Sequence, residues 1–186
     1  MVLPGHLAAG YLVSFGVLKF AASWLSISLT RAQTVWLFIV GTLLGDGPDV
    51  DAVFGIWKSK SLSPKGLDGH RKYPTHAPVL WFVLGLAIFL AARIFGNSGA
   101  PAFFQVLGLL VWLGPWSHFL CDSLENGVMW LWPLTTRQFA LHNPAGHNDD
   151  HPRDWRSLFS GYIKSPVSWV EMLLVFTALV TFLKSY

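Results

Sequence analysis

The sequence predicts an all-α, polytopic integral membrane protein, a single domain with about five spanning helices and a metal site at one membrane face. Three observations carry that expectation. Hydrophobic residues make up 53% of the 186-residue chain, and its mean hydropathy is +0.46. Charged residues supply only 12%, about half the ~25% usual in soluble domains. The apolar residues form continuous runs without the period-2 alternation that a membrane barrel needs.

Five runs read as spans: 7–29, 33–45, 77–95, 103–121 and 167–183. The first follows Pro4-Gly5-His6 and lacks a basic leader and a small-residue cleavage site, so it is expected to remain as a helix. The second contains the unbroken Val35–Leu44 run. Several runs fall short of the roughly 20 residues that cross a bilayer. Short spans become reasonable where their ends line a protein-walled, water-accessible hollow. Ten Trp residues suit the headgroup region.

The connections are polar. Ser59–Gly66 is a Ser-rich loop, and 128–166 is amphipathic and rich in Trp and Pro. Val128–Leu134 is too short to span, so a re-entrant or interfacial segment is expected there, followed by a loop covering the site. A net charge of +3 without a Lys/Arg stripe gives no reason to expect nucleic acid. The single Cys121 excludes an intramolecular disulfide.

With five spans, the seven His and ten Asp/Glu can all be placed on one side. Nine basic residues (Lys58, Lys60, Lys65, Arg71, Lys72, Arg137, Arg153, Arg156 and Lys164) share it, against Lys19, Arg31, Arg93 and Lys184 opposite. The positive-inside rule then makes the ligand-rich side cytoplasmic.

Four islands on that side carry metal-ligand chemistry. His118 and Asp122 stand four apart on one helical face, where imidazole and carboxylate can converge on a divalent ion. The bland alternative is a helix-end His paired with its own Asp. Asp46, Asp49 and Asp51 follow the second run, and three carboxylates so close repel one another unless a cation intervenes. Gly47 and Pro48 also allow an ordinary turn there. His70 and His76 bracket Arg71 and Thr75. Arg71 could clamp a phosphate bidentately, and Thr75 could equally cap the next helix. His6 opens the first span. A further group, His142, His147, Asp150 and His151, reads first as a solvated loop and second as another metal cluster.

In this order the islands resemble the YdjM-type, LexA-regulated, membrane-bound metal-dependent hydrolase family. Gly5-His6 matches its N-terminal G-H, and Leu43-Leu44 with Pro48-Asp49-Val50-Asp51 match its L-L-P-D-I-D. Gly69-His70-Arg71 and Thr75-His76 match G-H-R-x-x-T-H-S. Gly114, Ser117-His118, Asp122, Gly127 and Leu131-Trp132-Pro133 match its last element. Three residues, Gly45-Asp46-Gly47, are extra, the H-R to T-H spacing is one longer, and Ala77 replaces a Ser. The family is itself similar to the zinc-dependent phospholipase C and single-strand nuclease group. The resemblance implies a helical inner-membrane hydrolase with one to three divalent ions, zinc foremost and manganese next.

The expected ligands are His6, Asp49, Asp51, His70, His76, His118 and Asp122. Asp46 or Asp51 is expected to act as general base, and Arg71, Thr75 and Ser117 to contact substrate. Location at a membrane face suggests a lipid or lipid-linked phosphoester. Two alternatives stay open: a ceramidase-like amide or ester hydrolase that uses Ser117, and a metal-ion transporter or sensor.

Overall fold

Apolar runs bounded by Pro, Gly and Thr become helices in the computed structural model, which describes residues 3–60, 73–96, 100–124, 127–141 and 155–185. The helices are α1 (Leu3–Gly16), α2 (Arg31–Leu44), α3 (Val50–Ser59), α4 (Pro78–Phe95), α5 (Ala100–Asp122), α6 (Trp155–Lys164) and α7 (Pro166–Ser185). Helix starts have local causes. Thr30 and Gln33 form a reciprocal capping box at α2, with Gln33 N–H donating to Thr30 Oγ1 at 3.2 Å and Thr30 N–H to Gln33 Oε1 at 2.9 Å. Pro sits in the first turn of α4, where its missing N–H costs nothing. No strand forms among the described residues; Val128 and Phe139 make an isolated antiparallel bridge.

Among the described residues, three helical stretches, not five, are long and apolar enough to cross a membrane: Pro78–Phe95, Pro101–Asp122 and Pro166–Ser185. The expected first span is helical from Leu3 to Trp24, but its regular α-helix α1 stops at Gly16 and passes through a π-helical turn, Val17–Ala21, into Ala22–Trp24. The second, α2, has 14 residues, about 21 Å at 1.5 Å per residue and short of the ~30 Å hydrocarbon core. Both are apolar and packed within the bundle.

Helix α5 is the central span, with 50% of its apolar 18-residue stretch buried against 11% for that of α4 and 22% for that of α7. Its Val106 and Leu110 join Val17 and Leu37 in the main core. At the other end Cys121 meets Ala9 of α1 and Val167 of α7. The outward faces of α4 and α7 keep large apolar residues exposed, including Val83, Leu84, Phe176 and Leu183. On a spanning helix those faces meet lipid rather than water.

Glycines set two helix crossings. At α4–α5, a Cβ on Gly85 would lie 2.5 Å from the Gly108 carbonyl, and one on Gly108 would lie 2.7 Å from that of Gly85. At α1–α2, a Cβ on Gly10 would lie 2.8 Å from the Gly45 Cα, and one on Gly45 would lie 2.6 Å from the His6 carbonyl. Such contacts let backbones approach where lipid supplies no hydrophobic drive. The second crossing brings His6 to the exit of α2.

After α5 the chain turns at Gly127, whose φ of +82° suits glycine. Residues 127–141 fold back beneath the end of α5. Leu141 N–H donates to Ser123 O at 2.7 Å, and the Trp130 indole to Ser123 Oγ at 2.8 Å. Val128 and Met129 are buried there.

Gly85→Ala should weaken the α4–α5 crossing by roughly 1–3 kcal/mol, the usual cost of overpacking. Thermal unfolding in detergent should show a lower midpoint, with the metal ligands untouched.

Candidate metal centre

The site lies at one end of the bundle, where the first turn of α1, the exits of α2 and α5 and the entry to α4 meet. Each supplies a side chain because its helix begins or ends there. His6 sits one turn before the Gly10–Gly45 crossing. Past Gly45, Asp46 precedes a 3₁₀ turn, Gly47–Asp49, that runs into α3 and presents Asp49 and Asp51 in succession. His76 ends a second 3₁₀ turn, Pro74–His76, before Ala77 and α4. His118 and Asp122 share one face at the end of α5.

The turn bearing His76 is held from outside by two indoles. Trp81 Nε1 donates to Thr75 O at 2.7 Å, and Trp116 Nε1 to Pro78 O at 3.0 Å. Ala77, where the family pattern has Ser, is fully buried.

Two groups of side chains come close enough to hold an ion: His6, His118 and Asp122, and Asp49, His76 and His118. His6 Nε2 is 3.5 Å from Asp122 Oδ1. His118 Nε2 is 3.5 Å from Asp49 Oδ1 and 3.7 Å from Asp122 Oδ2. His76 Nε2 is 3.1 Å from Asp49 Oδ1. The rings of His6 and His118 stack at 3.9 Å. His6, His76, His118 and Asp122 are each at most 1% exposed.

Hydrogen bonds on the far sides of the rings orient them. His118 Nδ1 lies 3.1 Å from Gly45 O; a carbonyl only accepts, so Nδ1 carries the proton and Nε2 turns its lone pair toward Asp49 and Asp122. His76 Nδ1 lies 2.9 Å from Asp51 Oδ2, which also accepts from the Thr75 hydroxyl. That carboxylate–imidazole pairing is the usual outer support of a metal-ligating His.

The fit to a cation is tested by what lacks a partner. Both ring nitrogens of His6, His118 Nε2, Asp46 Oδ1 and Asp51 Oδ1 are buried without a hydrogen-bond partner among the described residues. A lone pair aimed at carboxylates in a buried site is repulsive unless a cation lies between. The donor set, imidazole nitrogen with carboxylate oxygen, suits zinc or a neighbouring divalent ion.

Protons can ease the same repulsion. Burial raises the Asp46 carboxyl to about 6, and Asp49 nearby adds to the shift. Burial opposes charge on His76, but its hydrogen bonds to Asp49 and Asp51 outweigh this and raise it above 6.5.

The site thus gathers His6, Asp49, His76, His118 and Asp122, with Asp51 behind His76 and Asp46 beside Asp49. Ser117 is buried, and its hydroxyl donates to Gly114 O at 2.6 Å. Thr75 joins the Asp51 cage. His70, Arg71, His142, His147, Asp150 and His151 lie outside the described residues. Sequence reasoning missed the Gly45 carbonyl, the two supporting indoles and Glu171, which accepts from Gly5 N–H at 3.0 Å. A buried Glu near the start of an apolar span was the available signal for the last.

The YdjM inner membrane protein family model matches residues 1–186. The chain belongs to that family. With its three spanning-length apolar helices, it is an integral inner-membrane protein. No curated protein and no solved structure matches it. The family match does not extend to the phospholipase C and nuclease group.

Both titrating groups have folded-state pKa values raised above their unfolded ones, so each adds stability at low pH that is lost as pH rises. For Asp46 the loss runs from about 3.8 to about 6, and for His76 it begins above 6.5. Chelator-stripped protein should therefore melt at lower temperature near pH 8 than near pH 5.5. Added zinc should raise the midpoint more at the higher pH, where fewer protons compete.

Proposed function

We propose that the protein is a membrane-bound, metal-dependent hydrolase acting on a phosphoester of a lipid or lipid-linked substrate. The observation that carries this reading is the paired ligand groups sharing His118, with unpartnered buried nitrogens aimed at carboxylates. His6, His118 and Asp122 would hold one divalent ion. Asp49 and His76 would hold the neighbouring position, whose third ligand is also His118, so the single free lone pair of His118 Nε2 would serve one of the two positions at a time. Zinc fits the donors best. Such ions supply Lewis-acid polarisation of the scissile bond and an acidified water.

The chain's own residues divide the remaining work. Asp51 and the Gly45 carbonyl orient His76 and His118. Asp46 Oδ1, buried beside Asp49 without a hydrogen-bond partner among the described residues, is the carboxylate oxygen suited to receive a proton from water. Arg71 is the sequence's candidate for gripping phosphate. A substrate embedded in the bilayer would meet the centre at the helix ends, and the cytoplasmic side remains the side expected from basic residues.

The ceramidase-like alternative would ask Ser117 to polarise the substrate, yet that hydroxyl is turned back onto its own helix. A transporter would place its ligands near mid-bilayer on broken helices, whereas these ligands gather at helix ends.

Protein purified without chelator should contain zinc or manganese in stoichiometric amount by elemental analysis. A variant carrying His76→Ala, His118→Ala and Asp122→Ala should lose it; full retention would overturn the site. Against a panel of lipid phosphoesters and ceramides, the wild type should release phosphoester products. Asp46→Asn should cut that turnover by about 10²–10⁴-fold, the range for loss of a general base, while keeping its metal. Metal flux into proteoliposomes without hydrolysis would favour the transporter instead.

A further inference from the structure

Glu171 stands in the second turn of α7, a spanning helix, yet it is 6% exposed. A carboxylate buried at such a position is costly unless its oxygens are engaged. Oε1 accepts from Gly5 N–H at 3.0 Å, and Oε2 accepts from the Tyr162 hydroxyl of α6. Gly5 lies in the first turn of α1, whose N–H groups have no carbonyl partner within the helix. A carboxylate there also meets the positive end of the helix dipole.

The residue types suit this contact. A Cβ on Gly5 would lie 2.8 Å from both Cγ and Cδ of Glu171, so only glycine leaves room for the carboxylate where it stands. The next residue is His6, stacked on His118 at 3.9 Å and 3.5 Å from Asp122. Neither His6 ring nitrogen has a hydrogen-bond partner among the described residues. The ring therefore lacks the direct outer support that Gly45 O gives His118 and Asp51 gives His76. What orients it is the backbone that carries it.

We propose that Glu171 is a positioning residue of the metal centre, fixing the first turn of α1 from α7 and so setting His6 against His118 and Asp122. This rests on the metal reading above. It also joins the amphipathic helix α6 to the site, through Tyr162.

The test compares zinc affinity, by chelator competition in detergent, for wild type, Glu171→Ala, Glu171→Gln, Gly5→Ala and the distant packing variant Gly85→Ala. Hydrogen exchange of residues 5–9 is followed in the metal-free proteins. Glu171→Ala should weaken zinc binding about 10–100-fold, the range for losing an outer support of a ligand, and speed exchange of those amides. Glu171→Gln keeps the acceptor and should restore most of both. Gly5→Ala, which displaces the carboxylate, should follow Glu171→Ala, and it carries the test if Glu171→Ala does not fold. Gly85→Ala should lower the melting temperature without changing zinc affinity. Unchanged affinity in Glu171→Ala and Gly5→Ala, a Gln variant no better than Ala, or an equal loss in Gly85→Ala would overturn the proposal. Zinc-free wild type would overturn the metal reading itself, a failure distinct from one confined to the variants.

Discussion

Asp49 Oδ1 lies 3.1 Å from His76 Nε2 and 3.5 Å from His118 Nε2, and the arrangement of the helix ends follows from what that carboxylate requires. Asp46 and Asp122 add to the negative charge around it: burial, then Asp49 and Asp122, push the Asp46 carboxyl up. Acids do not gather in a buried site on their own account, since each loses hydration and repels the next. Imidazoles between them relieve the repulsion only when they carry protons or share a cation. The exits of α2 and α5, the first turn of α1 and the turn before α4 therefore converge where a shared positive charge would be stabilising. Removing one imidazole would leave an acid uncompensated, which costs more than the pair itself contributes.

Glycine makes this convergence geometrically possible. A side chain at Gly10 or Gly45 would force α1 away from the end of α2. His6 would then move off His118, and the Gly45 carbonyl would leave His118 Nδ1. A single backbone contact thus acts twice, placing one imidazole and orienting another. It also explains why the three extra residues Gly45-Asp46-Gly47 are compatible with the family's site: Gly45 forms the crossing, and Asp46 leads into the turn that delivers Asp49.

The parts of this site that were legible in the sequence are those whose chemistry resides in a side chain. His118 and Asp122 could be put on one face from their four-residue spacing, and His6, Asp49 and His76 from residue type and the order of the islands. The Thr30–Gln33 capping box is equally visible as T-x-x-Q, and it moves the start of α2 ahead of the expected residue 33. What stayed hidden depends on distance in space. A carbonyl at Gly45 has no residue-type signature, and Trp81 and Trp116 look like any interfacial aromatics until Pro74–His76 folds between them. The span count failed for a related reason. Apolar composition persists through Val17–Ala21, so nothing in hydropathy announces the π-helical turn that interrupts the regular α-helix there.

The same distinction separates acids that sequence alone treats alike. Asp46, Asp49 and Asp51 lie within six residues, and each could be ligand or base by type. Their neighbours differ. Asp51 Oδ2 is engaged by both His76 and Thr75, so that carboxylate is spent on orientation. Asp49 reaches two imidazole nitrogens that face the centre of the cluster, the position of a ligand. Asp46 keeps a buried oxygen without a hydrogen bond, and its raised pKa leaves it able to exchange a proton near neutrality. Asp51 Oδ1 is likewise buried without a hydrogen bond, so the two acids differ in their other oxygen: that of Asp51 is held by His76 and Thr75, which fixes its geometry. In the proposed reaction Asp46 is therefore the better suited of the two to serve as base, although Asp51 is the more deeply buried.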